Sequence, residues 1–119
     1  MDITIIPNEN TNAPAGKLAD AELHFTDGEI AYCRRKRDFA SSFAARFAAK
    51  EAAMKALGTG FSRGVYWRGI EVVRRHGPPQ LQFHDGALER FTALGATRSL
   101  LTLTHSRELS IAHVLVMRD

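Results

Sequence analysis

An alanine-rich segment in the middle of the chain constrains the fold more than any other feature of the sequence. Residues 42–57 consist mainly of alanine and other good helix formers, and Gly58, a residue that commonly ends helices, follows them. Ser41 and Ser42 are candidates for the N-cap. At about 100° per residue, four large apolar side chains fall on one stripe roughly 80° wide: Phe43, Phe47, Met54 and Leu57. The pattern predicts a long helix that buries this stripe in the core.

Charged residues of the same segment suggest more than a buried helix. Glu51 and Lys55 lie beside the stripe, and an i,i+4 pair in this order forms a surface salt bridge worth about 0.3–0.5 kcal/mol, which is one interpretation. Lys50 falls inside the stripe and Arg46 at its edge. Either these two side chains extend their charged ends to solvent, or the helix runs along an anionic site where the core meets a cleft.

Two signals predict structure before this helix. The β-branched residues of segment 1–6 predict a strand that Pro7 ends, and the aperiodic polar run 8–16 predicts a loop. Thr26, with Glu29 three residues later, has the pattern of a capping box and predicts a helix that starts there.

A basic run, residues 34–37, ends this second predicted helix. Cations at a helix C-terminus complement the helix dipole, so a solvated helix end is one interpretation of the run. A surface that docks anions is the other.

The apolar period changes to two after the long helix. Alternating apolar residues around 70–72 and 81–83 flank a proline-rich turn, and this pattern predicts a β-hairpin. The next segment predicts a short amphipathic helix that ends at Gly95. Segments 99–104 and 109–117 predict a second hairpin. We therefore expect an α+β fold in which a largely antiparallel sheet packs on the alanine-rich helix.

Composition narrows the class of protein further. A chain of 119 residues with 45% hydrophobic residues suits a single small domain over residues 1–119, and its net charge of +3 suits anionic partners. The lone Cys33 excludes an internal disulfide and favours a reducing compartment. Because no stretch approaches the roughly 20 apolar residues of a membrane helix and the N-terminus lacks the features of a secretion signal, we expect a cytoplasmic protein without a membrane partner.

The segment 47–60 combines groups that suit the transfer of a phosphate-bearing group. Its helical carboxylate can hold a hard cation such as Mg²⁺, and the lysine one turn on can offset charge on phosphate oxygens. The glycine-rich backbone at the helix end can approach a diphosphate closely.

This constellation resembles the 4′-phosphopantetheinyl transferases, and within them the small holo-acyl-carrier-protein synthases. The resemblance is carried by an aromatic residue, a Lys-Glu-Ala triplet, a second lysine and a small loop: Phe47, Lys50-Glu51-Ala52, Lys55 and Gly58-Thr59-Gly60. It extends over about residues 25–116, including the turn Gly77-Pro78-Pro79. Asp2 also stands 49 residues before Glu51, which is similar to the spacing of an aspartate in that family.

The resemblance implies a reaction and its participants. Coenzyme A would donate its phosphopantetheine arm to a serine hydroxyl of an apo acyl carrier protein and release adenosine 3′,5′-bisphosphate, with Mg²⁺ on the diphosphate. Asp2 and Glu51 would bind the metal, and Lys55 would steady the leaving phosphate. Glu51 would also activate the serine, either directly or through a metal-bound water. It also implies a homotrimer with active sites between neighbouring subunits.

The residues implied to line the coenzyme site are Arg46, Lys55, Gly58, Thr59, Gly60, Pro79 and His105. His105 is in addition a candidate for proton transfer, although a turn at a strand end holds a histidine for packing equally well. The other histidines have no partner pattern and are expected at the surface or in a hairpin: His24, His76, His84 and His113.

The chain departs from the family pattern in two places. Only Met1 precedes Asp2, so either a neighbouring strand or subunit holds this aspartate or its metal binding is weak. The polar segment 7–14 stands where the family has a basic helix that docks the acidic carrier protein. Carrier recognition by the basic run 34–37 and an unusual carrier are the two explanations we consider.

Two other functions fit parts of the sequence. One is a small nucleic-acid-binding module that uses the basic run, although the aromatic residues lack the spacing of a stacking platform and the small net charge predicts weak binding. The other is an inactive relative that keeps the fold for interaction. The transferase interpretation predicts no nucleic-acid partner.

Overall fold

The predicted long helix lies at the centre of the fold. The computed structural model describes residues 2–8, 18–106 and 108–119, with side chains from residue 21 onward. The helices are α1 (Leu18–His24), α2 (Asp27–Arg34), α3 (Phe39–Leu57) and α4 (Asp85–Ala93). The strands are β1 (Asp2–Asn8), β2 (Ile70–Val73), β3 (Gln80–Phe83), β4 (Arg98–His105) and β5 (Ser110–Met117).

The strands form two antiparallel sheets that contact α3. One sheet has the strand order β1-β5-β4, and the other is the hairpin β2-β3. In the first sheet the face against α3 carries buried residues of two strands, namely Leu101, Ala112, Val114 and Val116. The predicted α+β class and antiparallel packing on the alanine-rich helix are therefore confirmed.

Helix α3 is buried on nearly all sides, because alanine lets neighbouring backbones approach closely. The side chains of Ala48, Ala49, Ala52 and Ala53 are fully buried. The helix starts three residues earlier than predicted, and the N-cap is Asp38, whose Oδ1 accepts a hydrogen bond from the Ser41 N–H at 3.1 Å. The prediction of Ser41 or Ser42 as the cap is therefore wrong. Gly58 ends the helix in the left-handed conformation with φ 78°, as expected.

A buried ion pair inside the core joins α3 to its neighbours. The Lys50 ammonium is fully buried, and its Nζ donates to Glu29 Oε1 at 2.7 Å, to the Trp67 carbonyl at 2.8 Å and to the Ile70 carbonyl. All three of its protons thus have acceptors. Both interpretations of Lys50 from the sequence are wrong. The side chain does not extend to solvent, and it does not line a cleft, because its ammonium is enclosed in the core with Glu29.

The partner carboxylate, Glu29, also completes the predicted capping box of α2. Its Oε1 accepts from the Thr26 N–H at 2.9 Å, and the Thr26 Oγ1 accepts from the Glu29 N–H at 3.2 Å. The other oxygen, Oε2, accepts from the Val72 N–H at 3.0 Å. One carboxylate therefore joins the start of α2, the middle of α3 and strand β2.

The N-terminal part differs from its prediction. Strand β1 continues through Pro7 to Asn8, so the predicted stop at Pro7 is wrong. A proline is tolerated there because β1 is the edge strand of its sheet and needs hydrogen bonds on one side only. The predicted loop 8–16 begins within this strand, and its residues 9–16 lie outside the described residues. Helix α1 was not predicted.

Both hairpins are confirmed. Ile70 pairs with Phe83 and Val72 with Leu81, across the proline-rich turn. Strands β4 and β5 pair over their whole length, with bounds within about one residue of the prediction. The short helix α4 is confirmed as well, and Gly95 follows it with φ 75°.

The buried ion pair predicts a large loss of stability on Lys50→Met. This substitution removes one partner and leaves the Glu29 charge buried, so the free energy of unfolding is expected to fall by about 3–5 kcal/mol, measured by urea denaturation. The control is Arg98→Met, which breaks an exposed pair with Asp119 and should cost less than about 1 kcal/mol. Equal losses in the two variants would contradict the assigned role of the pair.

Candidate functional site

The two charged residues of the predicted motif, Glu51 and Lys55, lie on the last two turns of α3. Glu51 is half-buried and Lys55 is exposed. Burial raises the pKa of Glu51 above its ordinary value, and the charge of Lys55 opposes this shift. Among the ion pairs of the described residues none joins Glu51 to Lys55, so the interpretation of the two as a surface salt bridge does not hold. Both charges are therefore available to a ligand.

The loop after α3 is held tightly to the end of the helix. The N–H groups of Thr59 and Gly60 each donate to the Met54 carbonyl at 3.3 Å, and Gly60 has φ 57°. The Arg90 Nε, from α4, donates to the Leu57 carbonyl at 2.9 Å. The predicted loop residues therefore stand in a fixed backbone conformation directly beside Lys55.

A second contact joins this loop to α4. A Cβ added at Gly86 would lie 2.1 Å from the carbonyl oxygen of Gly64, so only glycine allows this approach. The start of α4 thus packs against the far end of the loop, and Arg90 holds its near end.

Three other predicted coenzyme residues meet in a separate pocket of about 370 Å³. Arg46, Pro79 and His105 all line it. Three further cationic side chains join them there, namely Lys36, Arg37 and Arg74. This concentration of positive charge favours the anion-docking interpretation for two residues of the basic run.

Arg46 is the unusual group of this pocket. It is only 5% exposed, its guanidinium lies 4.1 Å from the centre of the Tyr32 ring, and within the described residues its buried Nε has no hydrogen-bond partner. A buried N–H without an acceptor is costly, and an oxygen of a bound anion would satisfy it. Of the two interpretations of Arg46, the one that places it at an anion-binding site between core and cleft therefore fits the structure better than extension to solvent.

The pKa of Tyr32 is shifted by two cations of this pocket, Lys36 and Arg46. Burial alone would raise its pKa, but hydrogen bonds to Lys36 and Arg46 and the charges of both hold the pKa below its ordinary value of 10.0. Lys36 Nζ also lies 4.6 Å from the ring centre. The pocket therefore favours negative charge at the position of the phenol.

The two groups of predicted residues do not meet within one chain. Arg46 and Lys55 are nine residues apart on α3, which places them about 180° apart around the helix and about 13.5 Å apart along it. The buried alanines of α3 and their packing partners fill the space between. A single ligand cannot contact both groups of the same protomer through this core.

The predicted metal ligands are only partly described. Asp2 lies in β1, where its backbone is paired with Val116 of β5, and its side chain lies outside the described part. Strand pairing thus holds the backbone of Asp2 in place. No cluster of three or more His, Cys, Asp or Glu side chains exists within the described residues. Mg²⁺ commonly takes one or two carboxylates together with substrate phosphates and water, so Glu51 fits as one such ligand.

Two histidines have neighbours that the sequence did not indicate. His84 Nε2 lies 3.0 Å from Glu71 Oε1, and the Thr26 hydroxyl donates to Glu71 Oε2 at 2.8 Å. The ring of His24 packs 5.6 Å from that of Trp67. No sequence pattern indicated these neighbours, because both contacts join segments far apart in sequence.

Three pocket and loop residues were also missed, namely Tyr32, Arg74 and Arg90. Besides the predicted Arg46, Pro79 and His105, the basic run carried a sequence signal for the pocket, because Lys36 and Arg37 also line it. Arg90 was visible only as a cation in the last turn of a predicted helix.

Comparison with known proteins gives consistent matches. The profile of the 4′-phosphopantetheinyl transferase superfamily matches residues 2–112. A holo-[acyl-carrier-protein] synthase of Halorhodospira halophila is 52% identical over 102 residues, which cover 84% of this chain and 75% of the relative. Another, of a Geobacter species, is 41% identical over 119 residues and covers 99% of this chain and 95% of the relative.

A solved structure agrees with these sequence matches. The holo-(acyl-carrier-protein) synthase of Bacillus anthracis, in complex with CoA (3′,5′-ADP), superposes with a TM-score of 0.79 at 28% identity. The match covers 99% of this chain and 96% of that one. As for membranes, the described residues contain no helix with the length and hydropathy of a membrane span.

The electrostatics of the pocket predict a shift in a tyrosine titration. Arg46→Met removes a cation that favours the tyrosinate while burial persists, so the pKa of Tyr32 is expected to rise. Tyrosinate absorbance measures it in a Tyr66→Phe background, since the chain has two tyrosines. Arg98→Met, which removes an exposed arginine, should leave the titration unchanged. An unchanged or lower pKa in Arg46→Met would show that the guanidinium does not act on the ring.

Proposed function

Because this chain belongs to the 4′-phosphopantetheinyl transferase superfamily, we propose that it transfers the phosphopantetheine arm of coenzyme A to a serine of an apo acyl carrier protein. The serine oxygen bonds to the phosphorus of the arm, and the bond from that phosphorus to the bridging oxygen breaks. Adenosine 3′,5′-bisphosphate leaves, and the serine proton is taken up by a base of the enzyme.

The observation that carries the site assignment is the buried Arg46 in a strongly basic pocket, where its Nε has no hydrogen-bond partner among the described residues. Coenzyme A has two anionic groups, a 3′-phosphate and a diphosphate. A pocket lined by Arg46, Lys36 and Arg37 suits the 3′-phosphate, with Pro79 and His105 beside it. His105 is exposed at the end of β4, and we assign it to coenzyme contact or proton transfer.

The diphosphate belongs at the other group of residues. Lys55 offsets the charge of the leaving phosphate, and the loop Gly58-Thr59-Gly60, whose two glycines have no side chain, leaves room for it. Glu51 and Asp2 would hold Mg²⁺ there, which when bound neutralises charge on the diphosphate oxygens. Pairing of β1 with β5 supports the assignment of Asp2, because hydrogen bonds between the two strands hold its backbone in place.

Glu51 is also the proposed base for the carrier serine. A serine hydroxyl is a weak nucleophile, and a positioned base typically contributes about 10²–10⁴ in rate. The half-buried carboxylate has no ion-pair partner among the described residues, and its pKa is raised by burial. Both properties suit the acceptance of a proton.

The opposite placement of the two groups on α3 supports a composite site. If one coenzyme uses Arg46 and Lys55, the two must come from different protomers, as in the proposed homotrimer. The sheet face turned away from α3 offers a surface for association, because Leu100 is 56% exposed and pairs with the half-buried Leu115.

Two further features belong to the proposal. The protein acts in the cytoplasm, where the lone Cys33 is buried and reduced.

The carrier docks around Glu51, since its serine must reach this carboxylate. The pocket position of Lys36 and Arg37 argues against their use for carrier docking and leaves only Arg34 and Arg35 of the basic run for it.

Loss of transfer without loss of stability tests the catalytic assignment. Glu51→Ala is expected to lower kcat at least about 10²-fold and Lys55→Ala about tenfold or more, with changes in the free energy of unfolding below about 1 kcal/mol. The mass shift of an apo carrier incubated with coenzyme A and Mg²⁺ measures transfer. Glu89→Ala, which removes an exposed glutamate of α4, is the control and should retain activity. Full activity of Glu51→Ala would exclude it as the base.

Mixing two inactive variants tests the composite site. Arg46→Met and Glu51→Ala damage opposite halves, so trimers reassembled from an equal mixture should contain intact sites at about a quarter of the interfaces. Activity at limiting coenzyme A should recover to that fraction. No recovery in trimers shown by native mass spectrometry to be mixed would place both halves in one protomer.

A further inference from the structure

We infer that Arg90 is a second cation for the coenzyme diphosphate, placed to cancel the negative end of α3. The inference rests on the proposed function, because that function puts the diphosphate at the loop after this helix. Arg90 comes from α4 and lies outside the Lys-Glu-Ala motif.

The reason for a second cation lies in the direction of α3. Anions are usually bound at helix N-termini, where the backbone N–H groups and the positive end of the dipole face the ligand. The loop Gly58–Gly60 instead follows the C-terminus of a 19-residue helix, whose end carries about half a negative charge. A diphosphate placed there is repelled unless nearby cations reverse the local field.

Arg90 is placed to do this at close range. Its Nε donates to the Leu57 carbonyl at 2.9 Å, so the guanidinium caps one of the free carbonyls at the end of α3. One terminal nitrogen lies 3.5 Å from where a Cβ on Gly58 would stand. The charge is therefore at the left-handed residue that opens the loop.

The rest of the guanidinium is free to bind. The side chain is half-buried, and in the described part of the chain the Nε bond is its only hydrogen bond, with no carboxylate within salt-bridge distance. An arginine held by Nε keeps four N–H donors on its two terminal nitrogens. These donors suit two oxygens of a phosphate, as Lys55 alone does not.

Calorimetric titration of coenzyme A in the presence of Mg²⁺ tests this role. Arg90→Gln keeps a donor for the Leu57 carbonyl but loses the charge, and its Kd for coenzyme A is expected to rise about tenfold. Arg90→Lys restores the charge but not the paired donors, so its Kd should lie between those of the wild type and of Arg90→Gln. Arg98→Gln removes an arginine paired with Asp119 and should bind as the wild type does.

The outcomes separate this inference from the proposed function. If the wild type gives no heat with coenzyme A and Mg²⁺, the proposed function fails and Arg90 loses its role with it. If the wild type binds and Arg90→Gln binds equally well, only the role of Arg90 is overturned, whatever the change in Tm.

A measurement on the wild-type chain covers the case in which Arg90→Gln does not fold. Phenylglyoxal modifies accessible arginines, and peptide mass spectrometry locates the adducts. Coenzyme A with Mg²⁺ should slow the modification of Arg90 several-fold and leave that of Arg98 unchanged. Equal modification of Arg90 with and without the coenzyme would overturn the inference.

Discussion

The buried contact between Lys50 and Glu29 is the constraint on which the arrangement of the other elements depends. A charge with no access to water is stable only where every proton has an acceptor, and this ammonium finds its acceptors on α2, on the turn at Trp67 and on β2. Those elements must therefore meet at one point of α3. The residue next to Lys50 is Glu51, so the same contact fixes the rotation of α3 that leaves Glu51 toward solvent and the alanines toward the sheets.

Local chemistry made much of this fold predictable. The capping box at Thr26 and Glu29, the left-handed stop at Gly58 and the alternating strands of the two hairpins are all encoded within a few residues, and each one is present. Starts and stops that depend on the surroundings were less predictable. Pro7 does not end β1, since its position at the sheet edge is a tertiary property, and α1 is too short to have a sequence signature independent of its packing.

The site was predictable in its parts and not in its arrangement. The motif residues Glu51 and Lys55 stand where a helical period puts them, and Arg46 was recognisable as a charge at the edge of an apolar stripe. Helical spacing alone could not say that Lys50 points inward to a carboxylate 21 residues away, nor that Arg46 shares a pocket with Pro79 and His105. These contacts join distant segments, and only the packing of the whole chain determines them.

The close approach of Gly86 to Gly64 has a consequence for the energetics of ligand capture. Because α4 holds both ends of the segment after α3, through this contact and through Arg90, the backbone of that segment is restrained before any ligand arrives. Little conformational entropy is then lost on association, and preorganisation of this kind leaves more of the contact energy for the chemical step. A methyl group at residue 86 would push the two backbones apart, and the segment after α3 would lose this restraint.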